Sequence, residues 1–179
     1  MSQRSTVALC LMVAASAGLA APSHANENER HFFKRVEGAW SGPGEIVAGK
    51  YKGTKFVCSF SGKGPQETIG MSLDGGCRVG VFNQEMSARV TRDRAGFSGT
   101  FLDGAKGKGL NVTGGSVKNN SAVFNIHRNE LTGAMRAQLK GDDTMNVTIS
   151  VHVDRELVPV IGMTLKRVDA RTVSSVRAD

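Results

Sequence analysis

The segment 145–154, MNVTISVHVD, alternates without a break. Met145, Val147, Ile149, Val151 and Val153 fall on one face, and Asn146, Thr148, Ser150, His152 and Asp154 fall on the other. A period of two marks a half-buried strand. The preceding LTGAMRAQL repeats it, with Leu131, Gly133, Met135, Ala137 and Leu139 inward, and Lys140-Gly141-Asp142-Asp143 supplies the hairpin turn between the two. Shorter runs follow the same rule: Phe56, Cys58 and Phe60; Met86, Ala88 and Val90; Phe97, Gly99 and Phe101; Ala122, Phe124 and Ile126. Between them lie SGKGPQ, LDGG, RDRAG, DGAKGKG, TGG and KNN, rich in residues that accept positive φ and therefore read as turns. The pattern predicts about nine to eleven strands. Each strand has one apolar face, so the sheet must close on itself or pack on a second sheet. With 22 glycines, several inside strands where they permit bends, the expectation is an all-β antiparallel up-and-down barrel; a two-sheet β-sandwich is the alternative.

The two ends of the chain break this period. Residues 1–25 read as a secretory signal, with Arg4 as the one early charge, an apolar run from Val7 to Ala21, and Ser23-His24-Ala25 offering small residues for cleavage after Ala25. Leu9 precedes Cys10 where lipid attachment needs a small residue, which argues against a lipoprotein. Residues 26–35, NENERHFFKR, form a polar lead-in expected to turn helically and set Phe32 or Phe33 against the core. Residues 36–169 then make one β-barrel domain, and 170–179, largely polar, form a flexible tail. Cleavage would lower the net charge from +7 to +6 and leave no apolar run of membrane-spanning length. That modest basic excess suits contact with an anionic envelope component. The expected location is periplasmic or secreted. In such an oxidising compartment Cys58 and Cys77, whose spacing is far from Cys-x-x-Cys, are expected to form a structural disulfide.

Gly38-Ala39-Trp40 stands at the start of the first strand and holds the chain's only tryptophan. It resembles the Gly-x-Trp kernel of the calycins, the group containing lipocalins and avidins. The resemblance implies a barrel whose Trp40 closes one end, with a basic side chain from the last strand, Arg167 or else Lys166, packed over its ring. The outline is also similar to bacterial metalloprotease inhibitors of the Inh type, small exported barrels with an early tryptophan and one internal disulfide. A fold is what such likeness carries, not a ligand.

Familiar catalytic signatures are missing: the chain has no nucleophile elbow, P-loop, dinucleotide fingerprint or zinc spacing. His127 and His152 alternate onto the polar face, too few for a metal site. Glu45 and Glu67 are the carboxylates to follow, since an acid turned into a barrel binds amines or works as a general base. Phe56, Phe60, Phe97 and Phe101, with Met86 and Met135, either line an apolar ligand cavity or fill the barrel, and the sequence leaves both open. KYKGTK (50–55), TRDRAG (91–96) and GAKGKG (104–109) would form a cationic rim if they shared one barrel end. With Tyr51 the one aromatic among these lysines and arginines, too few for a stacking platform, nucleic acid is not an expected partner. The expected function is non-enzymatic, without a cofactor: a barrel binding a small apolar or amphipathic ligand or an envelope component. The alternative is a protein-interaction module, such as a periplasmic protease inhibitor or envelope-integrity factor. An enzyme built around Glu45 or Glu67 ranks behind both.

Overall fold

Ten strands carry the alternation into three dimensions. The computed structural model describes residues 24–102 and 109–168; most of the expected signal segment (1–23), residues 103–108 and the expected tail from 169 lie outside the described residues. Helix α1 (His24–Val36) is followed by β1 (Gly38–Ile46), β2 (Lys55–Lys63), β3 (Ile69–Val79), β4 (Phe82–Arg92), β5 (Phe97–Leu102), β6 (Leu110–Lys118), β7 (Ser121–Arg128), β8 (Leu131–Lys140), β9 (Thr144–Val153) and β10 (Glu156–Val168). Every strand pairs antiparallel with its sequence neighbours, and β1 pairs with β10 from Ala39 opposite Val168 to Ile46 opposite Ile161. The sheet is therefore a closed up-and-down barrel with no free edge.

Strands reverse direction at each turn, so the connections alternate between two ends. One end carries α1 and the turns 64–68, 93–96, 119–120 and 141–143. The other carries the turns 47–54, 80–81, 129–130 and 154–155. Asn119, Asn129 and Asp154 take left-handed conformations, with φ of 51°, 51° and 54°, in the tight turns they open.

Two expected turns are strand interior instead. Leu73-Asp74-Gly75-Gly76 runs through the middle of β3, and Thr113-Gly114-Gly115 through β6, where the register shifts between Val112 and Gly114. Glycine serves close approach here rather than reversal. Gly75 faces inward, and a Cβ on it would collide with the Ser59 carbonyl of β2. The true β3–β4 reversal is Gly80-Val81, whose valine is not a turn-favouring residue.

The lead-in is longer and more ordered than a single helical turn. Glu29, Phe32, Phe33 and Val36 recur at the i, i+3, i+4, i+7 spacing of one helix face, and all four are buried. That face caps one barrel mouth. Phe33 lies 5.8 Å from Phe97 and 6.4 Å from Phe124, ring to ring.

Candidate functional site: an apolar lumen closed at one end

Strand number decides what the interior can be. Barrel diameter grows with strand count, and eight strands already leave room only for side chains or one small ligand. Ten strands enclose more. Here α1 fills one end, and above it a lumen of about 280 Å³ runs towards the other. Its wall is almost wholly apolar: Gln84, near the open end, is the one lining residue with a polar side chain. Exposure grades along the axis. Phe33, Val36 and Val90 near the helix are buried, Met86 and Met135 are half-buried, and Val79 at the far end is exposed. The lumen thus opens opposite α1.

Of the six residues expected to line it, Phe56, Phe60, Met86, Phe101 and Met135 do. Phe97 does not. It begins β5 at the helix end, where its ring packs edge-on against Phe124 at 5.4 Å under Phe33, and the Arg92 guanidinium lies 5.2 Å from its centroid. The helix, absent from a strand-only view, takes Phe97 out of the lining. Met71, Met145 and Met163 line the lumen as well, so all five methionines beyond residue 25 face one space. Alternation alone could have flagged this methionine content. Thioether side chains are flexible and polarisable, which suits a wall that adapts to its contents.

Cys58 and Cys77 face each other across β2 and β3 and are joined by a disulfide. The bridge forms part of the wall, with the Met86 sulfur 3.4 Å from Cys77 Sγ and the Met163 sulfur 3.7 Å from Cys58 Sγ.

The closed end is held by polar contacts at the helix C-terminus. Trp40 is fully buried, and its Nε1 donates to the Val36 carbonyl at 2.9 Å, one of the carbonyls that the end of a helix leaves unpaired. Arg167, directly opposite Trp40 in the β1–β10 register, places its guanidinium 4.3 Å from the indole centroid. The same group donates to the carbonyls of Arg35, Glu37 (2.6 Å) and Asp142 (3.0 Å). A cation at this helix end also meets the negative pole of the macrodipole. Gly38 takes φ 102°, and a Cβ there would stand 2.8 Å from Arg167 Nη1. The Gly-x-Trp spacing thus has a local reason: the glycine makes room for the arginine that covers the tryptophan. Lys166 points elsewhere, donating to Thr144 Oγ1 at 2.6 Å.

Two more anchors, which the sequence did not single out, fix α1. Glu29, with its side chain 8% exposed, accepts from Arg92 Nε at 3.1 Å. Arg35 donates to Asn120 Oδ1 (2.6 Å), the Gly141 carbonyl (2.7 Å) and Asp142 Oδ1 (3.1 Å), tying the helix to two turns.

The remaining candidates lie off the lumen. Glu45 is half-buried on the outer face of β1, and Glu67 is exposed in the β2–β3 turn at the helix end. His127 and His152 sit on the outer face of β7 and β9 with Thr132 of β8 between them, and no cluster of three or more His, Cys, Asp or Glu occurs among the described residues. The cationic turns do not share an end: 50–55 is at the open mouth and 91–96 at the helix end, because an odd number of strands separates them. Residues 104–108 of the third turn lie outside the described residues. Among the described residues no helix is long and apolar enough to cross a membrane. No known family model matches the chain, and no curated protein is significantly similar to it.

Proposed function

We propose that this protein is an exported, calycin-like carrier that holds a small apolar or amphipathic molecule in its barrel, acts in the periplasm or outside the cell, and performs no chemistry of its own. The observation that carries the reading is the lumen: apolar but for Gln84, open at one end, floored by a helix at the other. At ~30 Å³ for each water-sized group, 280 Å³ accommodates a chain of about ten carbons. With Gln84 the sole polar side chain in the wall, a ligand's apolar part belongs inside and any polar head at the open end. A space of this kind left empty would forfeit dispersion contacts along its whole wall, which favours an occupant.

Titration calorimetry of the purified protein with decanoate tests this. Saturable one-to-one binding, abolished by Ala137→Trp, which sets an indole into the lumen, is the expected result. Failure of decanoate, decanol and other single-chain amphiphiles to bind refutes the carrier reading.

A further inference from the structure

The two ends of the barrel differ in what they show to solvent. Among the described residues ten large apolar side chains are exposed, and every one lies at the open end. The β1–β2 connection and its flank contribute Val47, Tyr51 (63% exposed) and Val57, and the β3–β4 turn contributes Val79, Val81 (90%) and Phe82 (77%). Leu102, Leu131, Val153 and Leu157 stand at the matching tips of β5, β8, β9 and β10. Around the helix end no large apolar side chain is exposed among the described residues. An apolar ring of this extent marks a contact surface.

Charge accompanies the ring. Lys50, Lys52, Lys55, Arg78, Arg128 and Arg155 occupy the same turns and strand tips, against Glu45, Glu130, Asp154 and Glu156. Lys50 also lies over the Tyr51 ring at 5.6 Å. Apolar tips flanked by a cationic excess, with an amphipathic tyrosine among them, match the headgroup layer of an anionic membrane.

We infer that the open rim docks on an anionic lipid bilayer, with Val81 and Phe82 entering the headgroup layer and the lumen mouth turned to the membrane. The inference rests on the carrier reading. The ring surrounds the mouth, so a protein partner or a second copy seated on it would bridge an apolar hole, whereas a bilayer supplies acyl chains to fill it. A chain moving from bilayer to lumen in this pose never exposes its methylenes to water.

Vesicle flotation with the mature protein tests the inference, using phosphatidylglycerol-phosphatidylcholine vesicles and vesicles of phosphatidylcholine alone. The protein is expected to float with the anionic vesicles and to lose that binding as salt is raised. The double variant Val81→Asp, Phe82→Asp should bind them at least about tenfold more weakly, and Lys50→Glu with Lys52→Glu should weaken binding to the anionic vesicles only. Both changes lie on exposed tips and should leave the affinity for uncharged decanol unaltered, while Ala137→Trp should do the reverse, losing decanol and keeping the vesicles. No flotation with anionic vesicles, equal flotation by the aspartate variant, or a dimer in sedimentation that this variant dissolves would overturn the docking surface. Rim-dependent flotation by a protein that binds no decanoate would leave the docking surface standing and remove the carrier reading.

Discussion

Replacing Trp40 by alanine removes the joint on which the closed end depends. The ring is 0% exposed, and truncating a buried tryptophan costs about 3–5 kcal/mol in transfer and cavity terms. Two losses push the value to the upper part of that range. The Val36 carbonyl at the helix C-terminus loses its donor, and a buried unpaired carbonyl costs about 1–3 kcal/mol. Arg167 loses its stacking surface, although its three carbonyl acceptors remain. A total near 4–5 kcal/mol is a large share of the ~5–15 kcal/mol that holds a typical domain together. Trp40→Phe separates the terms: it keeps most apolar contact, loses the N–H, and should cost about 1–2 kcal/mol. The assay is urea unfolding of the oxidised protein followed by far-UV circular dichroism, since the variants lack the only tryptophan. A loss below about 1 kcal/mol for the alanine variant, the level of an exposed site, would refute the plug.

Four other outcomes follow from the same contacts. Replacing both Cys58 and Cys77 with alanine opens a loop of sequence separation 19 and should cost about 3 kcal/mol on a chain-entropy basis, read from the urea midpoint. Glu29→Gln leaves Arg92 facing a neutral group; with the arginine side chain 29% exposed the cost should be about 1–2 kcal/mol, and adding Arg92→Met should recover part of it in a double-mutant cycle. Gly75→Ala drives a methyl group into the Ser59 carbonyl and should cost about 1–3 kcal/mol in thermal melts, where the exposed-turn control Ala95→Ser should cost little. Asp143 accepts from Thr144 and lies near Lys166, which together hold its carboxyl below the ordinary 3.8. Its small contribution to stability is therefore present above pH 3.8 and lost as pH falls through the lower folded value, so Asp143→Asn should flatten the acid limb of the stability profile slightly.

Strand periodicity made the barrel legible, because a closed antiparallel sheet with one wet face writes its geometry into every second residue. Met135, Met145 and Val147 all point inward as alternation requires. Glycine misled where it permits close approach instead of reversal, at Gly75 and Gly115, since composition cannot distinguish the two uses. The full extent of the helix is hidden in the sequence because its buried stripe includes Glu29, whose partner Arg92 lies 63 positions away. Phe97 faces inward as alternation requires but is covered from outside the sheet, by Phe33 of the helix, which alternation does not register. The apolar rim left no periodic signal, because Tyr51, Val81 and Phe82 meet only when the turns of separate hairpins gather at one end.

Native mass spectrometry of the protein purified from its native cells, before and after organic extraction, asks the lumen outright whether it carries a molecule. A discrete adduct with the mass of a single-chain amphiphile, removed by extraction and missing from Ala137→Trp, is the expected result. An unliganded mass in every preparation, together with no uptake of added amphiphiles, would refute the carrier reading.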